Sequence, residues 1–216
     1  MKSLADRIYN FLKWPGRYRT SRGFGVHSPF AFDFITKVLR DRKAFYYAYP
    51  EIDAFCGKRR RDSVIDNNLF SASSYASQEA RMLFRILCRF NPDQVIEVGG
   101  GHEVSRTIIE RAVPTANLYR WSRENPVAID TVRPCVIIVN YTIDINFNIV
   151  RNYLLEALKH PAGVVFFFRN MHIEINRRLW DQISMVAPFG MTFHDDVTGI
   201  YAAFRKLPRK DFDILL

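Results

Sequence analysis

Apolar positions along this chain alternate between a helical and a strand period, and the changes of period mark its elements. Leu4, Ile8, Phe11 and Leu12 lie on one helical face behind the capping-box-like spacing of Ser3-Leu4-Ala5-Asp6. Trp14-Pro15-Gly16 is expected to stop that helix. Ser28 is placed as an N-cap with Pro29 at the first helical position, and Phe30, Phe34, Ile35, Val38 and Leu39 continue a 3.6-residue period. The aromatic run Phe45 to Tyr49 reads as a cover over apolar surface. Residues 56 to 78 are rich in Ser, Asn, Arg and Lys and read as a connecting segment. Ala80, Leu83, Phe84 and Leu87 return to helical spacing, which Asn91-Pro92 ends.

From that point short apolar runs alternate with amphipathic ones. Val95 to Val98, Leu118 to Trp121, Cys135 to Val139 and Val164 to Phe168 read as buried strands. Val104 to Ala112, 150 to 159 and Ile175 to Ala187 read as helices. Residues 191 to 197 and 200 to 205 alternate around Thr198-Gly199, as a hairpin does. This pattern predicts an α/β fold: one sheet of six strands, the first four parallel, with helices on both faces and a helical extension ahead of it. One gap is evident. Between Trp121 and Val136 lie 14 residues, including Pro126 and Pro134. A helix, a strand and a second crossover need roughly 35. The segment 122 to 134 is therefore too short for a complete strand-helix pair.

Composition narrows the partners. A chain of 216 residues that is 48% hydrophobic can bury one sizeable core. No run approaches the ~18 apolar residues of a membrane span, and Asp6 and Arg7 stand where a signal peptide is apolar. A cytoplasmic location with no membrane partner is the resulting expectation. Cys56, Cys88 and Cys135 are widely spaced and read as reduced core or near-core thiols. The net charge of +9 favours anionic partners. Lys13, Arg17, Arg19 and Arg22, interleaved with Trp14, Tyr18 and Phe24, and the run Lys58 to Arg61 suit nucleic acid; a solvated loop is the commoner origin of such clusters, so nucleic acid is not favoured. The stripe on the first helix suits docking on the domain or on a second copy, which makes a homodimer through the N-terminal helices an expectation to carry forward.

The candidate chemistry centres on Val95-Ile96-Glu97-Val98-Gly99-Gly100-Gly101. A buried strand ends in three glycines and a helix follows, so backbone amides are open to a ligand at a helix N-terminus. Glu97 faces the same crevice at the strand's carboxyl end. His27, at the entrance of the Ser28 helix, is a weak catalytic candidate; a hydrogen-bonded structural histidine is the commoner case.

Together these residues carry a resemblance. The order strand, Gly loop, helix, strand, two further strand-helix units and a hairpin is similar to class I S-adenosylmethionine (SAM)-dependent methyltransferases. Gly25-Val26-His27-Ser28-Pro29-Phe30, Leu83-Phe84-Arg85 and the run ending at Met171-His172 resemble a bacterial subfamily with an N-terminal helical extension. The resemblance spans about residues 20 to 205. It implies a Rossmann-like methyltransferase fold with a mostly parallel sheet and a C-terminal antiparallel hairpin, shortened by about one strand-helix unit. The domain would cover 76–216, behind a helical extension and linker at 1–75. It also implies SAM as cofactor, with Glu97, Gly99, Gly100, Gly101, Ser122 and Asn140 around it and His27 or His172 assisting an acceptor, either a small molecule or a protein.

Departures from the family pattern oppose catalysis. The last glycine of its Glu-x-Gly-x-x-x-Gly loop falls on Glu103. Trp121-Ser122-Arg123 stands where an acidic residue holds the ribose, with Glu124 two positions late. Asn140 replaces an aspartate, and Arg169-Asn170 replace paired aspartates, which leaves no carboxylates for a metal or a base. The reading these departures favour is a methyltransferase-like pseudoenzyme, a binding or assembly module with a degenerate SAM site. The alternatives are an active methyltransferase and a nucleic-acid-binding protein on the same scaffold.

Overall fold

The computed structural model describes residues 4–41, 46–56, 75–99, 103–124, 126–140 and 146–216, with side chains from Leu12 in the first helix and from Val104 in the helix that begins at 103. The centre of the fold is a seven-stranded mixed sheet. Its strands are β1 (Gln94–Gly99), β2 (Asn117–Trp121), β3 (Cys135–Asn140), β4 (Val164–Phe168), β5 (Met191–His194), β6 (Gly199–Ala203) and β7 (Lys210–Asp213). In space they run β2-β1-β3-β4-β6-β5-β7. The first four are parallel to one another. β6 is antiparallel to both β4 and β5, and β7 lies parallel to β5.

Burial on both faces explains the unbroken apolar runs. Val95, Val136, Ile138, Val165 and Phe167 pack into one core with α4 (Ser77–Phe90), α5 (Glu103–Ala112) and α2 (Pro29–Asp33), which continues as a π-helical turn, Phe34–Leu39. Ile96, Val98, Ile137, Val139, Phe166 and Phe168 point the other way, against α6 (Phe147–Ala157) and α7 (Glu174–Val186). Alternate residues of one strand thus serve two cores, so no polar position interrupts the run. A further short helix, α3, covers 49–56, where Tyr49 is buried and Tyr47 is exposed.

Several expectations need correction. The sheet has seven strands, not six: β7 adds at the edge beside β5. Its sequence, Lys-Asp-Phe-Asp, has a single apolar residue and shows no alternation because an edge strand is half in water. The first helix, α1 (Leu4–Thr20), does not stop at Trp14-Pro15-Gly16 but runs through it. Pro15 and Gly16 lie on the exposed side, where solvent can serve the carbonyl that proline leaves unpaired. Arg17 then holds the last turns to the body through Asp213 at 2.6 Å and Asp196 at 3.3 Å. Leu12 is 70% exposed, so that part of the expected stripe is not docked, and its other members lie outside the described side chains. Cys56 and Cys135 are buried, whereas Cys88 is exposed.

Among the described residues 122–124 and 126–134 there is no helix and no strand. The segment instead forms a strap. The Gln94 amide donates to the Ala128 carbonyl at 2.8 Å, the Tyr153 hydroxyl donates to the Val127 carbonyl at 2.9 Å, and Arg133 pairs with Asp93. Val127 is buried in the same core as Trp121 and Tyr153. A short loop with one buried side chain thus connects β2 to β3.

Candidate functional site

The register of the parallel strands aligns the candidate site. Gly99 of β1 pairs with Asn140 of β3, and the Arg169 N–H, one residue past β4, donates to the Val139 carbonyl at 3.0 Å. Gly99, Asn140 and Arg169 therefore form a row at the carboxyl end of the sheet, two residues beyond the row Glu97, Ile138, Phe167. Strand parity points both rows toward α4 and α5.

A chain of buried polar side chains crosses this end. The Arg169 side chain is fully buried. Its Nε and Nη2 donate to the two oxygens of Glu79, in the first turn of α4, at 2.8 and 3.1 Å. Its guanidinium carbon sits 3.4 Å from the ring centroid of Tyr75. The Tyr75 hydroxyl is 2.9 Å from the Ser105 hydroxyl, in the first turn of α5. Ser105 also stands close enough to Glu97 to favour its charged form. Four residues from three parts of the chain are linked in this way, with Glu97 beside them. Burial pushes the Glu97 carboxyl above the usual glutamate range, against the opposing pull of Ser105, Arg120 and Arg169. Burial likewise raises the Tyr75 phenol, with Arg169 acting against it. Glu97 Oε2 is buried with no hydrogen-bond partner, and Gly99 beside it takes φ 108°, a backbone conformation that favours glycine.

The loop after β4 is fixed from below. Asn176 of α7, itself fully buried, donates to the carbonyls of Arg169 and Asn170 at 3.1 and 3.3 Å. Asn170 has φ 53°, and its amide donates to the Asn140 side-chain oxygen at 3.2 Å. The two positions nearest the row thus carry amides bonded to each other. A cleft of about 400 Å³ borders Glu79 and is lined also by Tyr49, Arg81, Arg85 and Asp195. Arg85 is committed there to the carbonyls of Val38 and Leu39 and the Tyr49 hydroxyl, and Arg81 to Asp53.

The structure brings together only some of the residues singled out from sequence. Glu97, Gly99 and Asn140 meet at one end of the sheet, while Gly100 and Gly101, together with the Glu103 side chain, lie outside the described residues. Ser122 is exposed beyond the end of β2, and Arg123 and Glu124 are exposed as well. His172 is exposed in the loop after β4. His27 is exposed too, but belongs elsewhere: its neighbour Ser28 contacts Met191 at 3.8 Å, at the start of β5. Three strands separate β5 from β1, and the start of β5 lies at the sheet's opposite end. His27 is not part of this site. Glu79, Tyr75 and Ser105 were missed in the sequence; the available signal was Arg169 itself, a charge directly after five buried residues that must find a partner.

The two basic clusters named from sequence are described only in part. Arg17 and Lys13 are paired with Asp213, and the run 58–61 lies outside the described residues. Among the described residues no group of three or more His, Cys, Asp or Glu could hold a metal ion, and no helix is long and apolar enough to cross a membrane. No protein-family model matches this chain, and no curated protein does.

Proposed function

We propose that this chain is a methyltransferase-like protein with a degenerate cofactor site, serving as a binding or assembly module rather than as a catalyst. The observation that carries the reading is Arg169, a guanidinium fully buried at the carboxyl end of the sheet and held there by Glu79 and Tyr75. Its backbone stands two strand spacings, roughly 10 Å, from that of Gly99. Its guanidinium is committed to Glu79 and to the Tyr75 ring, so the position where the resembled family has a carboxylate offers none to a ligand.

The remaining residues fit SAM poorly as the resembled family holds it. Ser122 offers one exposed hydroxyl for two ribose hydroxyls, and the strap at 126–134 stands where an adenine wall would need a strand and a helix. Asn140 and Asn170 are amides, which neither bind a divalent metal as carboxylates do nor take a proton at neutral pH. One charged hydrogen-bond pair is worth about 1.5 to 3 kcal/mol, so losing the ribose acid alone weakens binding by roughly ten- to a hundredfold. Titration calorimetry with SAM at millimolar concentration is therefore expected to show no binding. Micromolar binding that Gly99→Val abolishes would overturn the reading.

A second reading, an active methyltransferase on a small-molecule or protein acceptor, is favoured by one observation. The buried, unpartnered oxygen of Glu97 beside Gly99 is a polar group with capacity for a ligand. Under this reading the same titration gives micromolar binding.

A further inference from the structure

We propose that the surface formed by Trp14, Arg19, Arg22, Phe24 and Phe32 docks on a lipid bilayer with anionic headgroups. Three large aromatic side chains are unusually open there: Trp14 is 52% exposed, Phe24 62% and Phe32 46%. They are one patch, not scattered residues. Trp14 stacks on Tyr18 with centroids 5.1 Å apart, and the Arg22 guanidinium lies 4.9 Å from the centroid of the same Tyr18 ring. Gly23 follows Arg22, and the Phe32 ring packs so tightly on it that a Cβ there would come within 2.4 Å of a ring carbon.

The patch is presented rigidly. Phe24 stands between Gly23 at φ 84° and Gly25 at φ 76°, at the tip of a turn closed by bonds from the Phe24 N–H to the Arg19 carbonyl and from the Val26 N–H to the Gly23 carbonyl, both 3.2 Å. The Leu215 N–H donates to the Ser21 hydroxyl at 2.9 Å and clamps the end of α1 to the C-terminal segment. An ordered apolar tip costs little entropy to insert.

Charge selects the partner. Lys13 and Arg17 are neutralised by Asp213 and Asp196, whereas Arg19 and Arg22 are exposed and have no carboxylate partner among the described residues. The chain as a whole carries +9. Aromatic side chains that sit at the headgroup level, flanked by uncompensated arginines, match an anionic interface. Single-stranded nucleic acid fits less well, because Trp14 and Arg22 already use Tyr18 as a stacking platform and two free cations neutralise few phosphates. A second copy of the chain placing the same patch across a two-fold axis would set Arg19 and Arg22 against their own kind.

The test uses the full chain and vesicles of phosphatidylcholine alone or with 30% phosphatidylserine. Flotation is expected to recover the protein only with the anionic vesicles, with a blue shift of tryptophan emission. Trp121 and Trp180 are buried, so the shift reports Trp14. Phe24→Ser is expected to weaken binding by tenfold or more, as loss of a buried Phe side chain implies. Arg19→Glu with Arg22→Glu is expected to abolish it. These side chains are exposed, and unchanged melting temperatures verify that the variants fold. Four results would overturn the proposal: no binding to anionic vesicles at low ionic strength, equal binding to both vesicle types, binding indifferent to the substitutions, or a patch-dependent dimer in ultracentrifugation without vesicle binding. Patch-dependent binding of a single-stranded RNA oligomer without vesicle binding would replace the bilayer with nucleic acid.

Discussion

The guanidinium carbon of Arg169 lies over Tyr75, 3.4 Å from the ring centroid, while both oxygens of Glu79 hold its nitrogens. A cation without exposure is tolerable only under such cover, because desolvation penalises the charge and both the carboxylate and the ring face compensate it. Through Tyr75 and Ser105 the same contact reaches Glu97. The end of the sheet where a ligand site was expected is thus joined by an internal polar network.

The network is expected to be strongly asymmetric to substitution. Glu79→Ala leaves the Arg169 charge buried and uncompensated, at a cost of about 3 to 5 kcal/mol. Glu79→Ala combined with Arg169→Met removes both charges and is expected to be clearly more stable than Glu79→Ala alone. Urea unfolding of the two variants checks this; equal stabilities would contradict the pairing.

Glu97 gives a pH dependence with a definite sign. Its folded pKa is raised by burial, so the folded chain holds the proton more tightly than the unfolded one. The penalty for ionising it is absent below the ordinary glutamate pKa and is fully present once the pH exceeds the raised value. Glu97→Gln is therefore expected to melt at a higher temperature than the wild type at pH 8. The gap should close toward pH 4. A gap that widens toward acid would show that the carboxylate is stabilised, not penalised.

Asp213 is expected to control the attachment of α1. It forms an ion pair with Arg17 at 2.6 Å and accepts from Lys13 at 3.5 Å, and the Arg17 side chain is only 10% exposed. Asp213→Asn should speed amide exchange in the last turns of α1 roughly tenfold, the equivalent of about 1.4 kcal/mol in local opening, with little change in the sheet. Hydrogen exchange by mass spectrometry reads both regions at once; an unchanged α1 would mean that other contacts hold it.

Much of this fold was legible in the chain because burial on two faces leaves a clear trace. Val164 to Phe168 has no polar position to hide, and β1, β3 and β4 could be recognised from apolar runs alone. That residues 122 to 134 hold no complete strand-helix pair was legible from arithmetic, since the chain from Trp121 to Val136 is too short for one. β7 was not legible. Lys210 to Asp213 becomes a strand only because β5 offers it an edge, and a half-exposed edge imposes no alternation. The passage of α1 through Pro15 was hidden for a related reason: local propensity says stop, and Arg17 pairing with Asp213, 196 positions away, decides otherwise.

The candidate site divides along the same line. Sequence determined the strand, Glu97 and Gly99, because a strand running into glycines is a local pattern. Asn140 and Arg169 stand where the resemblance to methyltransferases leads one to expect carboxylates. Only the tertiary structure decided what these two residues do. Tyr75, Glu79, Ser105 and Arg169 meet from segments up to 94 residues apart, and no spacing in the chain encodes that meeting. Their grouping follows from the register that sets Gly99 beside Asn140 and from the packing of α4 and α5 over that end of the sheet. A buried charge announces in sequence that it needs a partner; which partner it finds is a property of the fold.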